Sequence, residues 1–143
     1  MPTTLPLVLL VEDNPDDEKI TLRALKQSDV PHTVTVARDG AEALEVLFAG
    51  DGDDAGETPS LVLLDLKLPK VGGLEILQRM RAEPQTKRIP VVILTSSDEE
   101  KDLLQSYNIG ANSYIRKPVD YDQYMETIKK LGLYWLTMNK PPT

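Results

Sequence analysis

Residues 61–69 read Leu61-Val62-Leu63-Leu64-Asp65-Leu66-Lys67-Leu68-Pro69. Four apolar residues run without a polar interruption and end on an aspartate. A strand with one face in water alternates apolar and polar residues, because successive side chains point to opposite faces. The unbroken run therefore predicts a strand buried on both faces, as in a parallel sheet covered by helices. The same shape recurs along the chain. Leu7-Val8-Leu9-Leu10-Val11 ends on Glu12-Asp13, Val91-Val92-Ile93-Leu94 ends on Thr95, and the weaker Ser113-Tyr114-Ile115 ends on Arg116-Lys117-Pro118. A fifth candidate, Thr33-Val34-Thr35-Val36, alternates.

Helix signals fill the intervals. Asn14-Pro15-Asp16-Asp17 offers a cap, a proline for the first turn and early acids, so Asn14, Asp16 and Asp17 are read as helix-starting residues. Asp39 with Glu42 and Ser97 with Glu100 have capping-box spacing, and Asp120 with Gln123 resembles it. Leu74, Ile76, Leu77 and Met80 suit a helix from about Gly72 to Ala82. Strand then helix, five times over, predicts an α/β fold with a doubly wound five-stranded parallel sheet. The segment from Gly50 to Pro59 is rich in Gly and Asp. It lacks the twelve-residue calcium pattern and reads as a solvated loop.

The 143 residues suit one domain, and 41% hydrophobic content is enough for one core. No apolar run approaches the roughly 20 residues that span a bilayer. The net charge of −7 argues against binding a nucleic-acid backbone. There is no cysteine and a single histidine, His32, which excludes disulfides, thiolate chemistry and multi-histidine zinc sites. His32 is read as an ordinary surface residue. Met1 to Pro6 lacks the features of a secretory signal, so a cytoplasmic location is expected.

The chemistry lies where the strands end. In an open parallel sheet these ends share one edge, and ligands bind there at the switch point. With strand order 2-1-3-4-5 that point lies between the first and third strands. Glu12, Asp13 and Asp65 would then converge in one crevice, flanked by the Thr95 hydroxyl and the Lys117 ammonium. Carboxylates this close repel, and at least one tends to take up a proton unless a cation intervenes. An all-oxygen site of this kind suits Mg²⁺. A cation and an ammonium around one carboxylate suit phosphoryl transfer, which needs positioning and charge neutralisation more than proton transfer.

At these residues the chain resembles the receiver domain of two-component response regulators. The resemblance rests on Glu12-Asp13, Leu64-Asp65 with Pro69 and Gly72-Gly73, Thr95-Ser96 and Lys117-Pro118, and covers roughly residues 5 to 131. It implies the flavodoxin-like receiver fold and a phosphorylation-dependent switch. Asp65 would be the phosphoacceptor, taking the group from the phosphohistidine of a sensor histidine kinase. Mg²⁺ would be bound by Asp13, Asp65 and the backbone carbonyl of Lys67, with Glu12 acting mainly through water. Lys117 would pair with Asp65 and then with the phosphoryl group. Thr95 would move onto a phosphoryl oxygen, and Tyr114 would turn inward with it. Lys67 and Ser97 would tune the lifetime of the phosphate. The Lys117–Pro118 peptide would be cis. The protein would not be an enzyme beyond slow self-dephosphorylation.

From Pro118 onward, Tyr121, Tyr124, Ile128, Leu131 and Trp135 form a core-facing stripe on a helix from about 120 to 138. Leu133, Tyr134, Leu136 and Met138 add apolar groups on other sides, which predicts an interface and a homodimer. No second domain is evident, so the expectation is one receiver domain over 1–143, without an output domain, acting through protein contacts. The acidic loop before the third strand and the ending Leu131-Gly132-Leu133-Tyr134-Trp135-Leu136 resemble regulators paired with bacterial phytochrome kinases. Three rivals exist: a haloacid-dehalogenase-like phosphatase, a flavodoxin-like electron carrier and a non-phosphorylated scaffold. The first needs an acid two residues after the nucleophile, where Lys67 stands. In the second, a phosphate would be repelled by Glu12-Asp13. The third would require a damaged pocket.

Overall fold

The computed structural model describes residues 5–48, 58–96, 99–118 and 120–140. Five strands and five helices alternate: β1 (Leu7–Val11), α1 (Pro15–Gln27), β2 (Thr33–Ala37), α2 (Gly40–Phe48), β3 (Leu61–Leu64), α3 (Gly73–Ala82), β4 (Val91–Thr95), α4 (Glu100–Ile109), β5 (Ser113–Arg116) and α5 (Tyr121–Leu133). A π-helical turn, Tyr134–Met138, follows α5 directly. The strands form one parallel sheet in the order β2-β1-β3-β4-β5, as the sequence predicts.

The period of two in a strand splits each apolar run between two cores. Leu9, Val11, Val62, Leu64, Val91 and Ile93 face α2 and α3, meeting Ala43, Leu47, Ile76, Leu77 and Met80. Val8, Leu10, Leu61, Leu63, Val92 and Leu94 face α1 and α5, meeting Ala24, Leu25, Tyr124, Met125, Ile128 and Leu131. The three central strands are buried along their whole length, whereas the alternating β2 and the short β5 form the edges.

The starts of α1, α2 and α5 are those the sequence marks, whereas α4 begins at Glu100 with Glu99 at the cap position and no side-chain cap bond, two residues after the start that a Ser97 cap implies. Asn14 Oδ1 accepts from the Asp16 and Asp17 N–H groups. Asp39 Oδ1 accepts from Glu42 N–H at 2.8 Å, and Asp120 Oδ1 from Gln123 N–H at 3.0 Å. Ser97 lies outside the described residues, as do positions 50–57 of the acidic loop. Helix α3 begins where no side chain fits: a Cβ on Gly73 would lie 2.3 Å from the Asp65 carbonyl oxygen. That close approach locks α3 onto the loop that carries Asp65.

The C-terminal stripe needs one correction. Tyr124, Ile128 and Leu131 are buried, but Tyr121 is 46% exposed, and its hydroxyl accepts from Arg23 Nη1 instead. Tyr121 is the first residue of the helix, and Met125, one turn later, takes the buried place. Trp135 and Leu136 both fold back on the core, whereas Leu133, Tyr134 and Met138 face outward. Helix α4 has a polar buried face. Its buried residues are the polar Asp102 and Ser106, and Leu103, Leu104 and Tyr107 are exposed.

Candidate functional site

The sheet ladder carries on for one residue past several strands and so fixes the site backbone. Glu12 N–H donates to Ala37 O at 3.0 Å, Asp65 N–H to Val11 O at 3.1 Å and Lys117 N–H to Thr95 O at 2.8 Å. Register does the rest: Val11 stands beside Leu64, so Glu12 and Asp65 leave adjacent strands side by side. One carboxylate oxygen each from Glu12, Asp13 and Asp65 lies within 4.8 Å of the others. Glu12 and Asp65 are buried and Asp13 is exposed, so the cluster opens to water on one side. The set offers only oxygen donors and holds net negative charge, which fits a hard divalent cation.

Lys117 is drawn into the same cluster. Its Nζ lies 2.6 Å from Glu12 Oε1, 2.9 Å from Asp17 Oδ2 and 3.2 Å from Asp65 Oδ2. Its nearest partner is therefore Glu12, not the Asp65 that the resemblance implies. Burial pushes the Glu12 carboxyl up to about 7; Lys117 pulls it down, and the Asp65 charge adds to the rise. Burial alone would lower the Lys117 ammonium, but Glu12, Asp65 and Asp17 outweigh it and hold it raised. The sequence-level expectation that one crowded acid would tend to keep a proton thus falls on Glu12.

Asp17 is the residue that sequence reasoning missed. Its position in sequence reads as a helix start, and its N–H is indeed capped by Asn14, but its carboxylate reaches Lys117. The available signal was an excess: Asp16, Asp17 and Glu18 are more acid than one helix start requires.

Thr95 is fully buried at the end of β4, and Tyr114 on β5 is half-buried against the α2–α3 core. Lys67 N–H donates to Asp65 Oδ1 at 3.3 Å, whereas its ammonium reaches 3.5 Å to Asp102 on α4. The phosphatase reading needs an acid at that position and finds this lysine. The Lys117–Pro118 peptide is trans, against the implied cis form; trans is the lower-energy isomer of such bonds. His32 is half-buried, its Nδ1 2.6 Å from Val30 O, and takes no part.

Known proteins share this fold and much of this sequence. Residues 8–129 match the family model of the response regulator receiver domain. The probable methanogenesis regulatory protein FilR2 of Methanothrix harundinacea is 36% identical over 136 residues, covering 95% of this chain and 87% of that protein. The response regulator Rcp1 of Synechocystis sp. is 35% identical over 130 residues, covering 91% and 88%. Rcp1 in its Mn²⁺-bound form superposes with a TM-score of 0.89 at 34% identity, covering 96% of this chain and 99% of that one. The phosphorylated cyanobacterial phytochrome response regulator RcpA superposes with a TM-score of 0.91 at 38% identity, covering 99% of this chain and all of that one. Fold, acidic cluster and sequence agree: this chain belongs to the response regulator receiver family, whose members are phosphorylation-dependent signalling switches.

Proposed function

We propose that Asp65 accepts a phosphoryl group from the phosphohistidine of a sensor histidine kinase. One observation carries this reading: the buried Asp65 carboxylate lies within 4.8 Å of Glu12 and Asp13 and 3.2 Å from the Lys117 ammonium. In the step, a carboxylate oxygen of Asp65 forms the new P–O bond and the N–P bond breaks. The electron pair leaves with the kinase imidazole. A bound Mg²⁺ would neutralise the equatorial phosphoryl oxygens. Glu12, Asp13, Asp65 and the Lys67 carbonyl would hold it, and Lys117 would meet the transferred group. Thr95, buried at the strand end, would follow the phosphoryl oxygen with its hydroxyl, and Tyr114 would respond on the neighbouring strand. Slow self-dephosphorylation would reset the switch, with Lys67 and Ser97 setting its rate.

A bacterial phytochrome is the kinase this reading favours. Its support is the likeness to the phytochrome response regulator RcpA over the whole of both chains. The receiver would act as one unit in the cytoplasm, signalling by protein contact. We also propose a homodimer through the C-terminal helix, on the exposure of Leu133, Tyr134 and Met138 beside the packed Trp135. A Leu133→Lys, Tyr134→Lys chain should sediment as a monomer, and an unchanged mass would sink the dimer.

The test of the main reading is incubation with autophosphorylated kinases, a phytochrome among them, followed by phosphate mapping. Label should appear on Asp65, require Mg²⁺ and vanish in Asp65→Asn with the fold intact. Thr95→Ala should accept phosphate yet respond weakly in conformation. Label retained by Asp65→Asn would refute the assignment.

A further inference from the structure

An ammonium has three N–H donors and no acceptor. The Lys117 ammonium has three carboxylate partners, at 2.6, 2.9 and 3.2 Å. The Lys117 side chain is only 8% exposed, so water has little room to replace any of them. Glu12 and Asp65 belong to the cation cluster, and Asp17 does not. Asp17 comes instead from the first turn of α1, where Asn14 fixes its backbone.

We propose that Asp17 is a positioning residue, which holds Lys117 on the α1 side so that a divalent cation and this ammonium share Glu12 and Asp65. The proposal rests on Asp65 being the phosphoacceptor. A cation at the cluster and the ammonium carry like charge and want the same two carboxylates. Without a third anchor the ammonium either falls fully onto Glu12 and Asp65, opposing the cation, or swings out to solvent. Asp17 supplies that anchor and leaves one N–H aimed at Asp65, where a phosphoryl oxygen would stand.

The first turn of α1 contains its own controls. Asp16, Asp17 and Glu18 are equally placed to meet the helix dipole. Glu18 pairs with Arg38 at 2.9 Å, and Asp16 is exposed. Of the three, only Asp17 is bonded to Lys117. Substituting Asp16 therefore removes the same formal charge from the same turn without touching the ammonium.

The experiment uses the full chain as wild type, Asp17→Ala, Asp17→Asn and Asp16→Ala. Mg²⁺ affinity is measured by calorimetry, and phosphoryl uptake from acetyl phosphate at saturating Mg²⁺. Asp17→Ala should weaken Mg²⁺ binding and slow uptake by about tenfold to a hundredfold each, the loss expected of one charge-assisted bond. Asp17→Asn keeps an acceptor oxygen in place but loses the charge, and should fall between Asp17→Ala and wild type in both measurements. Asp16→Ala should stay within about twofold, as an exposed charge does. Equal effects of Asp16→Ala and Asp17→Ala would overturn the proposal. So would an Asp17→Asn protein matching wild type in both measurements, which decides the matter even if Asp17→Ala does not fold. Wild type that binds Mg²⁺ yet takes up no phosphate would sink the phosphoacceptor reading instead, and the affinity comparison would still judge Asp17.

Discussion

Stability of the metal-free protein should fall as the pH rises from about 4.5 to about 7, which is unusual for a chain with this many acids. The cause is Glu12, 2% exposed, whose carboxyl stands at about 7 against an ordinary 4.5. A group whose folded value is raised holds its proton more tightly in the folded state. Below about pH 4.5 both states keep the proton and nothing is lost. Between the two values the unfolded chain ionises freely while the folded site resists. Above about 7 the folded site ionises too and the full penalty is present. At 1.36 kcal/mol per unit, the shift corresponds to about 3 kcal/mol. That is a large part of the 5–15 kcal/mol typical of a domain. Lys117 does not offset it in this window. Its raised value contributes stability fully present below about 10.5, the ordinary value, and lost only beyond. Asp39 is lowered, and its contribution disappears only below about pH 4. Urea unfolding in EDTA at pH 5.5, 6.5, 7.5 and 8.5 measures the slope. Saturating Mg²⁺ should flatten it, because a cation stabilises the ionised cluster, and Glu12→Gln should flatten it without Mg²⁺. A level metal-free profile, or a slope that survives Glu12→Gln, would refute the reasoning.

Lys117→Met leaves Glu12, Asp17 and Asp65 facing one another, and in EDTA should cost about 3–5 kcal/mol by urea unfolding. Mg²⁺ should restore more stability to this variant than to wild type. Gly73→Ala places a Cβ 2.3 Å from the Asp65 carbonyl oxygen and 2.7 Å from Leu66 Cα. Backbone cannot yield cheaply, so thermal melting should show a loss of about 1–3 kcal/mol, with slower phosphoryl uptake as the Asp65 loop shifts. Arg81 donates to the carbonyls of Gly110, Lys87 and Ile89 and to Asn112 Oδ1. Arg81→Ala should cost about 2–4 kcal/mol in the same assay by leaving those acceptors unmet. Arg81→Lys should recover less than half, since an ammonium cannot span four acceptors.

The sheet was legible because burial on both faces leaves no choice of composition. An unbroken run such as Leu61-Val62-Leu63-Leu64 can only be a central strand of a covered parallel sheet, and the residue after it must sit at the open edge. That rule places Glu12 and Asp65 together, whereas Lys117 follows the weaker edge strand β5, and the cap residues Asn14, Asp39 and Asp120 follow from local hydrogen bonding that reaches only two or three residues. Tyr121 shows where periodicity fails: spacing gives the face of a helix but not where the core beneath it stops.

The rest was illegible because it depends on pairs far apart in the chain, whose partners give no local sign. Asp17 and Lys117 are separated by 100 residues, and an acid in the first turn of a helix already has a sufficient local reason to be there. Asp102 is the same case: an acid near the start of α4 reads as a dipole partner, yet it is buried and meets Lys67 from the loop after Asp65. Both hidden pairs join a helix start to a lysine of the site. The acids that composition explains most easily are thus the ones that tie α1 and α4 to the chemistry. Helix α4 thus meets the site through Asp102 and Lys67, with the polar Asp102 and Ser106 as its buried residues. Were Asp65 to carry the phosphoryl group proposed above, the added charge beside Lys67 would compete for the Lys67–Asp102 pair and so reach α4.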